Sequence, residues 1–244
     1  MRLLTFEAVD STQLEARRAL DAGLLPIEPV AVLARTQHAG RGRDGRGWQS
    51  PPGGVWMTVC VPLEPGQRPS PRLGLDLGLA VHGVCAAAAL ELGRPEPVRL
   101  KWPNDIMLAD RKLAGLLAEV VAHAGRSWVL AGIGVNLAVR PQDLSAEVRA
   151  AAATLGHPGP AADHVEFAVR LACAVADAAR PPVSAPSAPH SLREVLWRYG
   201  EQLDVRRPDG TFESGRVIGV GNDGELQLET ARGVIAFHST SGSA

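Results

Sequence analysis

Residues 37–48 read Gln-His-Ala-Gly-Arg-Gly-Arg-Asp-Gly-Arg-Gly-Trp. Three arginines, Arg41, Arg43 and Arg46, alternate with Gly40, Gly42, Gly45 and Gly47. Glycines let a backbone approach a ligand closely and turn its N–H groups toward an anion. Guanidinium groups add planar donors that match phosphate and carboxylate. Trp48 offers a flat face to an adenine. By itself the segment points to an anion and leaves a nucleotide open. Such a loop is expected to be disordered when empty and to close over its ligand. The letters G-x-G-x-x-G occur at Gly40, Gly42 and Gly45, but a dinucleotide fingerprint needs a helix next. Gln-Ser-Pro-Pro-Gly-Gly follows instead and excludes that reading. A solvated Arg/Gly surface loop, or an RNA contact of the RGG kind, explains these letters about as well when they stand alone.

Three further groups could join it. Lys101-Trp102-Pro103-Asn104-Asp105 puts a lysine at the end of an apolar strand, before a turn. Such lysines usually reach out to water; beside an anion loop, one could hold a carboxylate and an α-phosphate together. Gly132-Ile133-Gly134-Val135-Asn136 ends a buried strand. Glycines there mark close approach of a ligand or of another backbone, or simply a bulge. Asp10-Ser11-Thr12 carries hydroxyls that helix capping alone would explain. Walker A, G-x-S-x-G and H-E-x-x-H sequences are absent, and the seven histidines lack metal-ligand spacing.

The elements that position these groups follow from pattern. Strands are expected at 2–9, 29–35 and 55–63, with a helix from Thr12 whose Thr12/Glu15 spacing suits a capping box and whose end falls at Gly23. Residues 40–54 hold six glycines and two prolines and form a loop. A long helix at 73–92 ends at Gly93. Strands at 98–102, 106–108, 113–121 and 128–135 form a meander within a mixed sheet. Helices follow at 145–155 and 164–179, then a proline-rich linker at 180–190 and a short helix at 192–199. The tail differs: short strands at 203–206, 214–220, 225–229 and 234–238 are separated by Pro208-Asp209-Gly210, Asn222-Asp223-Gly224 and Arg232-Gly233. That is the pattern of a small all-β barrel, with a boundary near Glu201.

Composition bounds the classes. The 244 residues are 45% hydrophobic with a net charge of -1, so global charge argues for neither nucleic acid nor membrane. Cys60, Cys85 and Cys173 are far apart and odd in number, which fits a reducing cytosol rather than a disulfide framework. The N-terminus does not read as a signal peptide. The apolar stretch 75–92 is interrupted by Asp76, His82 and Glu91 and reads as a buried helix.

Taken together, in order and spacing, DSTQ at 10–13, TQHAGRGRDGRGWQSPPGG at 36–54, KWPNDIML at 101–108, RKLAGLLAE at 111–119 and GIGVNL at 132–137 resemble the biotin–protein ligases, or biotin–[acetyl-CoA-carboxylase] ligases. The pairing of GRGRxGRxW with a downstream KWPND is highly specific. The resemblance implies an α+β fold: a mixed β-sheet catalytic domain flanked by helices over 1–200, then a small SH3-like β-barrel over 201–244. It implies an ATP-dependent, acyl-adenylate-forming ligase that uses ATP with Mg2+ and biotin as substrate. Biotinyl-5′-AMP forms first, and biotin then passes to a lysine of a biotin carboxyl carrier protein. Lys101 and Arg43 would be catalytic. Ser11, Thr12, Gln13, Gln37, Gly40, Arg41, Gly42 and Arg43 would hold biotin, with Lys101 on its carboxylate and Gly115, Gly132 and Gly134 leaving room for the acyl chain. Arg43, Arg46, Trp48, Lys101, Asn104 and Asn136 would serve the nucleotide. The role of Asp105 stays open, and no protein metal ligand is expected. Gln13 stands where the family usually has Asn, and the end AFHSTSGSA matches the usual last strand poorly. No helix-turn-helix precedes the first strand, so a monofunctional ligase without the DNA-binding repressor function is expected. A homodimer is left open, and no DNA or membrane partner is expected. The alternatives are a lipoate–protein ligase, whose arginine–glycine motif is not found here, and a nucleic-acid-binding module.

Overall fold

The computed structural model describes residues 1–156, 161–180, 192–207 and 210–238. The expected proline-rich linker, the turn at Pro208-Asp209 and the last six residues lie outside this set. Seven strands form one mixed sheet: β1 (Arg2–Val9), β2 (Val30–Gln37), β3 (Val55–Pro62), β4 (Val98–Lys101), β5 (Asp105–Leu108), β6 (Arg111–His123) and β7 (Arg126–Val135). Their order is β1-β2-β3-β7-β6-β5-β4. β1 pairs with β2 in parallel and every other neighbouring pair is antiparallel. The expected meander is therefore β4 to β7.

Alternation along the strands sorts side chains onto two faces. Val30, Val32, Cys60 and Leu130 pack with Ala16 and Leu20 of α1 (Thr12–Asp21). Ala31, Met57, Val59, Ala131 and Ile133 face the other side, toward α2 (Leu73–Glu91) and α4 (Ala161–Ala179). By length and composition α2 could cross a membrane, but here it packs against α4 and β4, with Gly78 seated on Leu100. α1 is short, so it covers only part of its face. The rest of that face is where the cavity lies.

Two helices end earlier than their composition suggests. α3 spans Ala146–Ala151, because Ala152 turns extended and bridges Lys112 while the Ala153 N–H donates to the Lys112 carbonyl at 2.8 Å. α5 covers Leu192–Val195, after which Leu196 bridges Leu100 at the edge of β4. Pairing with a strand edge outcompetes another helical turn in both places.

The tail forms a separate antiparallel sheet of β8 (Gln202–Arg206), β9 (Phe212–Val220), β10 (Leu226–Thr230) and β11 (Gly233–Phe237), in the order β11-β10-β9-β8. Val217, Leu226, Leu228 and Phe237 join the same core cluster as Leu77 and Leu100. The two sheets are thus held to one another by apolar burial, reinforced by the bond from the Trp102 indole N–H, in the β4–β5 turn, to the Gly224 carbonyl at 2.9 Å.

Candidate active site

A cavity of ≈ 320 Å³ opens on the α1 face of the main sheet. That size suits a small-molecule site. Gly115, Gly132 and Gly134 form its floor, because Gly115 pairs with Gly134 and Leu117 with Gly132 across β6 and β7. These glycines leave no side chain on this face. A Cβ on Gly132 would sit 2.6 Å from Gln13 Oε1, and one on Gly134 would sit 2.6 Å from Trp48 Nε1. Of the two readings left open by the sequence, the glycines mark close approach rather than the bulge that the fragment alone favoured; the register shift between β5 and β6 falls elsewhere, at Ile106/Met107.

One end of the cavity is the first turn of α1. Capping does not explain Ser11 and Thr12. Ser11 occupies the N-cap position but its side chain makes no cap bond, and Thr12 is the first helical residue. The Thr12 N–H donates to Gln37 Oε1 at 2.8 Å, and its hydroxyl lies 3.2 Å from the same oxygen. Gln37 Nε2 donates to Ser50 Oγ at 2.7 Å. Thr58, fully buried on β3, sets its hydroxyl 3.0 Å from Thr12 Oγ1 and 3.1 Å from Gln13 Oε1. Gln13 Nε2 reaches the Leu130 carbonyl at 3.2 Å. The longer amide of Gln13 is therefore accommodated where Asn was expected. Sequence reasoning missed Thr58, which sits unmarked in an apolar strand.

The other end is the Arg/Gly loop, which carries its own frame. Gly42 N–H bonds the Arg46 carbonyl at 2.7 Å, Trp48 N–H bonds the Gly40 carbonyl at 2.8 Å, and Arg41 bridges Gly47. Asp44 and Gly45 take positive φ of 57° and 70° inside this tight turn. Arg41, Gly42, Arg43 and Arg46 line the cavity. Gly40 does not: it is buried at the loop's base, where a Cβ would meet the Trp48 carbonyl at 2.5 Å. Arg43 NH1 donates to Asn104 Oδ1 at 3.3 Å, and Asn104 Nδ2 donates to the Leu116 carbonyl at 2.6 Å. Trp48 lies on Gly134 and meets Trp56 edge-on at 6.3 Å. Its indole N–H is buried without a hydrogen-bond partner among the described residues. A buried donor of this kind favours a ligand that brings an acceptor.

The lysine at the cavity is not the one expected there. Lys101 does not line the cavity. It ends the edge strand β4 and aligns with Asp105, which aligns in turn with Gly115. Two strand spacings, roughly 10 Å, separate it from the floor. Its Nζ lies 4.7 Å from the centre of the Trp197 ring. Lys112, on β6, lines the cavity instead. Its ammonium is 2.7 Å from Asp105 Oδ1 and 5.0 Å from the centre of the Trp48 ring. The motif RKLAGLLAE contained this lysine, but nothing in its spacing separated it from Lys101. Asn136 lines the cavity as well. Its side chain binds the Ala153 carbonyl at 3.0 Å and lies 3.5 Å from the Lys112 carbonyl, so it ties the cavity wall together. The wall beside it comes from Leu144, Glu147, Val148, Ala151 and Ala152 on and around α3, which the sequence reading did not place in the site.

A seven-stranded mixed sheet whose open face carries a glycine floor, an arginine loop and a half-buried lysine–aspartate pair defines the class. The chain belongs to the biotin/lipoate A/B protein ligase family, which matches residues 10–136. Within that family its type is that of the biotin–protein ligases. It is 30% identical to the bifunctional ligase/repressor BirA of Bacillus subtilis (strain 168), over 97% of this chain and 72% of that protein. It is 38% identical to a biotin–[acetyl-CoA-carboxylase] ligase of Paracoccus denitrificans, over 68% of each. The fold matches a biotin protein ligase from Aquifex aeolicus in complex with biotin and ATP, with a TM-score of 0.73 and 24% identity over 98% of this chain and 97% of that one.

Proposed function

We propose that the protein activates biotin with ATP as biotinyl-5′-AMP and transfers it to a lysine of a biotin carboxyl carrier domain. The observation that carries this reading is the convergence of Lys112, Asn104-bound Arg43 and the first turn of α1 on one glycine-floored cavity. The neutral ring of biotin needs donors and acceptors fixed in advance, and the Thr12–Gln37–Thr58–Gln13 network offers them. The acyl chain lies over Gly132 and Gly134. Its carboxylate meets the α-phosphate near Lys112.

Two anions must be brought together there in spite of their repulsion, and fixed cations in a partly dry site are the means. Lys112, rather than Lys101, fills the bridging role, and Asp105 holds it at the cavity wall until the anions arrive. A carboxylate oxygen attacks the α-phosphorus and pyrophosphate leaves, its charge met by Arg43 and Arg46. Trp48, Leu144, Val148 and Ala151 give the purine apolar surfaces. Mg2+ bound with ATP would offset phosphate charge there, with phosphate oxygens and water as the ligands a hard ion of this kind keeps. The carrier's ε-amine then attacks the acyl carbonyl, AMP leaves, and the amine proton is lost. Closure of the Arg/Gly loop keeps water from the mixed anhydride in the interval.

In this reading residues 1–200 are the catalytic domain, and 201–244, which contain the sheet β8–β11, are the family's SH3-like barrel. A cytoplasmic setting fits the unpaired cysteines: Cys60 and Cys85 are buried thiols, pushed up to about 12 by desolvation. The test is transfer of biotin to a purified carrier domain with Mg-ATP. Carrier biotinylation that requires both ATP and the carrier lysine is expected; none under saturating substrates would overturn the proposal.

A further inference from the structure

We propose that Trp102 is a positioning residue through which the C-terminal sheet sets the geometry of the adenylating cations. This rests on the functional reading above. The residues that line the cavity end at Ala152 in the sequence, so none comes from the C-terminal sheet. Yet that sheet reaches the β4–β5 turn. Trp102 Nε1–H donates to the Gly224 carbonyl at 2.9 Å.

The acceptor is held in place. Gly224 has φ 84°, and its N–H bonds the Gly221 carbonyl at 3.1 Å. A Cβ there would stand 3.1 Å from Arg72 Cα, at the start of α2. Arg72 is itself buried and paired with Asp76 at 2.9 Å. The carbonyl that Trp102 meets is therefore fixed against the main domain's own helix.

The donor is linked to chemistry within three residues. β4 and β5 are joined by only 102–104, so displacement of Trp102 moves its neighbours. Asn104 exchanges bonds with Leu116, N–H to carbonyl at 3.0 Å and Nδ2 to carbonyl at 2.6 Å, and its Oδ1 receives Arg43. Asp105 holds Lys112. Two of the cations assigned to the adenylation step, Arg43 and Lys112, are thus oriented from this one turn. The outer edge of the turn is clamped as well. The Trp197 N–H bonds the Leu100 carbonyl at 2.9 Å, its indole N–H bonds Asp110 at 3.1 Å, and its ring lies under Lys101. Lys101 belongs to this clamp and not to the cavity.

The test is biotin-dependent pyrophosphate–ATP exchange by the full chain, with kcat and KM for ATP, biotin affinity by calorimetry and thermal melting measured beside it. Trp102→Phe keeps the ring and removes the donor. A kcat lowered roughly three- to tenfold is expected, the size of one net hydrogen bond. Biotin affinity should stay within about twofold, because the first turn of α1 is untouched; a purely structural role would lower both with the melting temperature. Gly224→Ala displaces the acceptor from the opposite side and should give the same kcat loss. The double variant should be no worse than the more affected single one, since both break one contact. Should Trp102→Phe lose cooperative melting, Gly224→Ala carries the test. An unchanged kcat in Trp102→Phe, or losses that multiply in the double variant, would overturn the inference. Absence of biotin-dependent exchange in the unmodified protein would instead sink the functional reading on which it rests.

Discussion

At the α1 end of the cavity, Ser11, Thr12, Gln13 and Thr58 are buried, and the last three are tied to each other or to Gln37 by bonds of 2.8–3.2 Å. At the Arg/Gly end, Arg41 and Arg46 are exposed, and the Arg46 contact with Asp44 is a surface pair at 3.5 Å. The first end is set before any ligand arrives. The second is a short turn whose cations gain their meaning from what they close on. Preorganised groups suit a neutral ring that must be told from its competitors, while loop cations suit a triphosphate that must enter and leave as pyrophosphate. Lys112 and Asp105 stand between the two ends, where the proposed mechanism forms the bond.

Substitutions divide along that line. Lys112→Ala should have the largest effect, slowing adenylate formation by about 10²- to 10³-fold, as loss of a fixed transition-state donor does; single-turnover formation of the adenylate reads it. Gly134→Val should come next. It puts a side chain where Trp48 Nε1 lies 2.6 Å away, and the KM for ATP should rise at least about tenfold by van der Waals exclusion. Thr58→Val removes the hydroxyl between Thr12 and Gln13 and should weaken biotin binding about tenfold by calorimetry, with little change in the KM for ATP. Arg43→Ala should do the reverse: biotin binding nearly intact, and adenylate released to solution severalfold faster, seen by chromatography of the free intermediate. Lys101→Ala should be the mildest, within about threefold of normal exchange. If Thr58→Val and Arg43→Ala changed the same parameters equally, the two-ended account would fail.

Much of the fold was legible in the sequence because strands here bury one or both faces. Val55–Pro62 is buried throughout and reads as an apolar run. The meander from β4 to β7 followed from short turns between such runs. Helix ends were harder: α3 stops where Ala152 finds the edge of β6, a partner forty residues away that no local propensity encodes. The site divided in the same manner. Arg43, Gly132 and Gly134 stood out because a charge or a glycine at such positions is conspicuous, whereas Ser11, Gln37 and Gly115 were reached only through the family resemblance, since capping alone would explain Ser11. Thr58 was not, since a threonine is ordinary in a strand. Lys101 stood out at a strand end, while Lys112 went unremarked inside RKLAGLLAE. Which of them faces the cavity depends on two rungs of strand pairing, Lys101–Asp105 and Asp105–Gly115, and only the assembled sheet supplies those.

The most direct test of the central claim is pyrophosphate–ATP exchange with the purified chain, offered biotin, lipoate or octanoate in turn. Exchange driven by biotin and reduced to near background by Lys112→Ala, with Lys101→Ala retaining it, is the result expected. Exchange driven by lipoate or octanoate in place of biotin, or surviving in Lys112→Ala while lost in Lys101→Ala, would contradict the account.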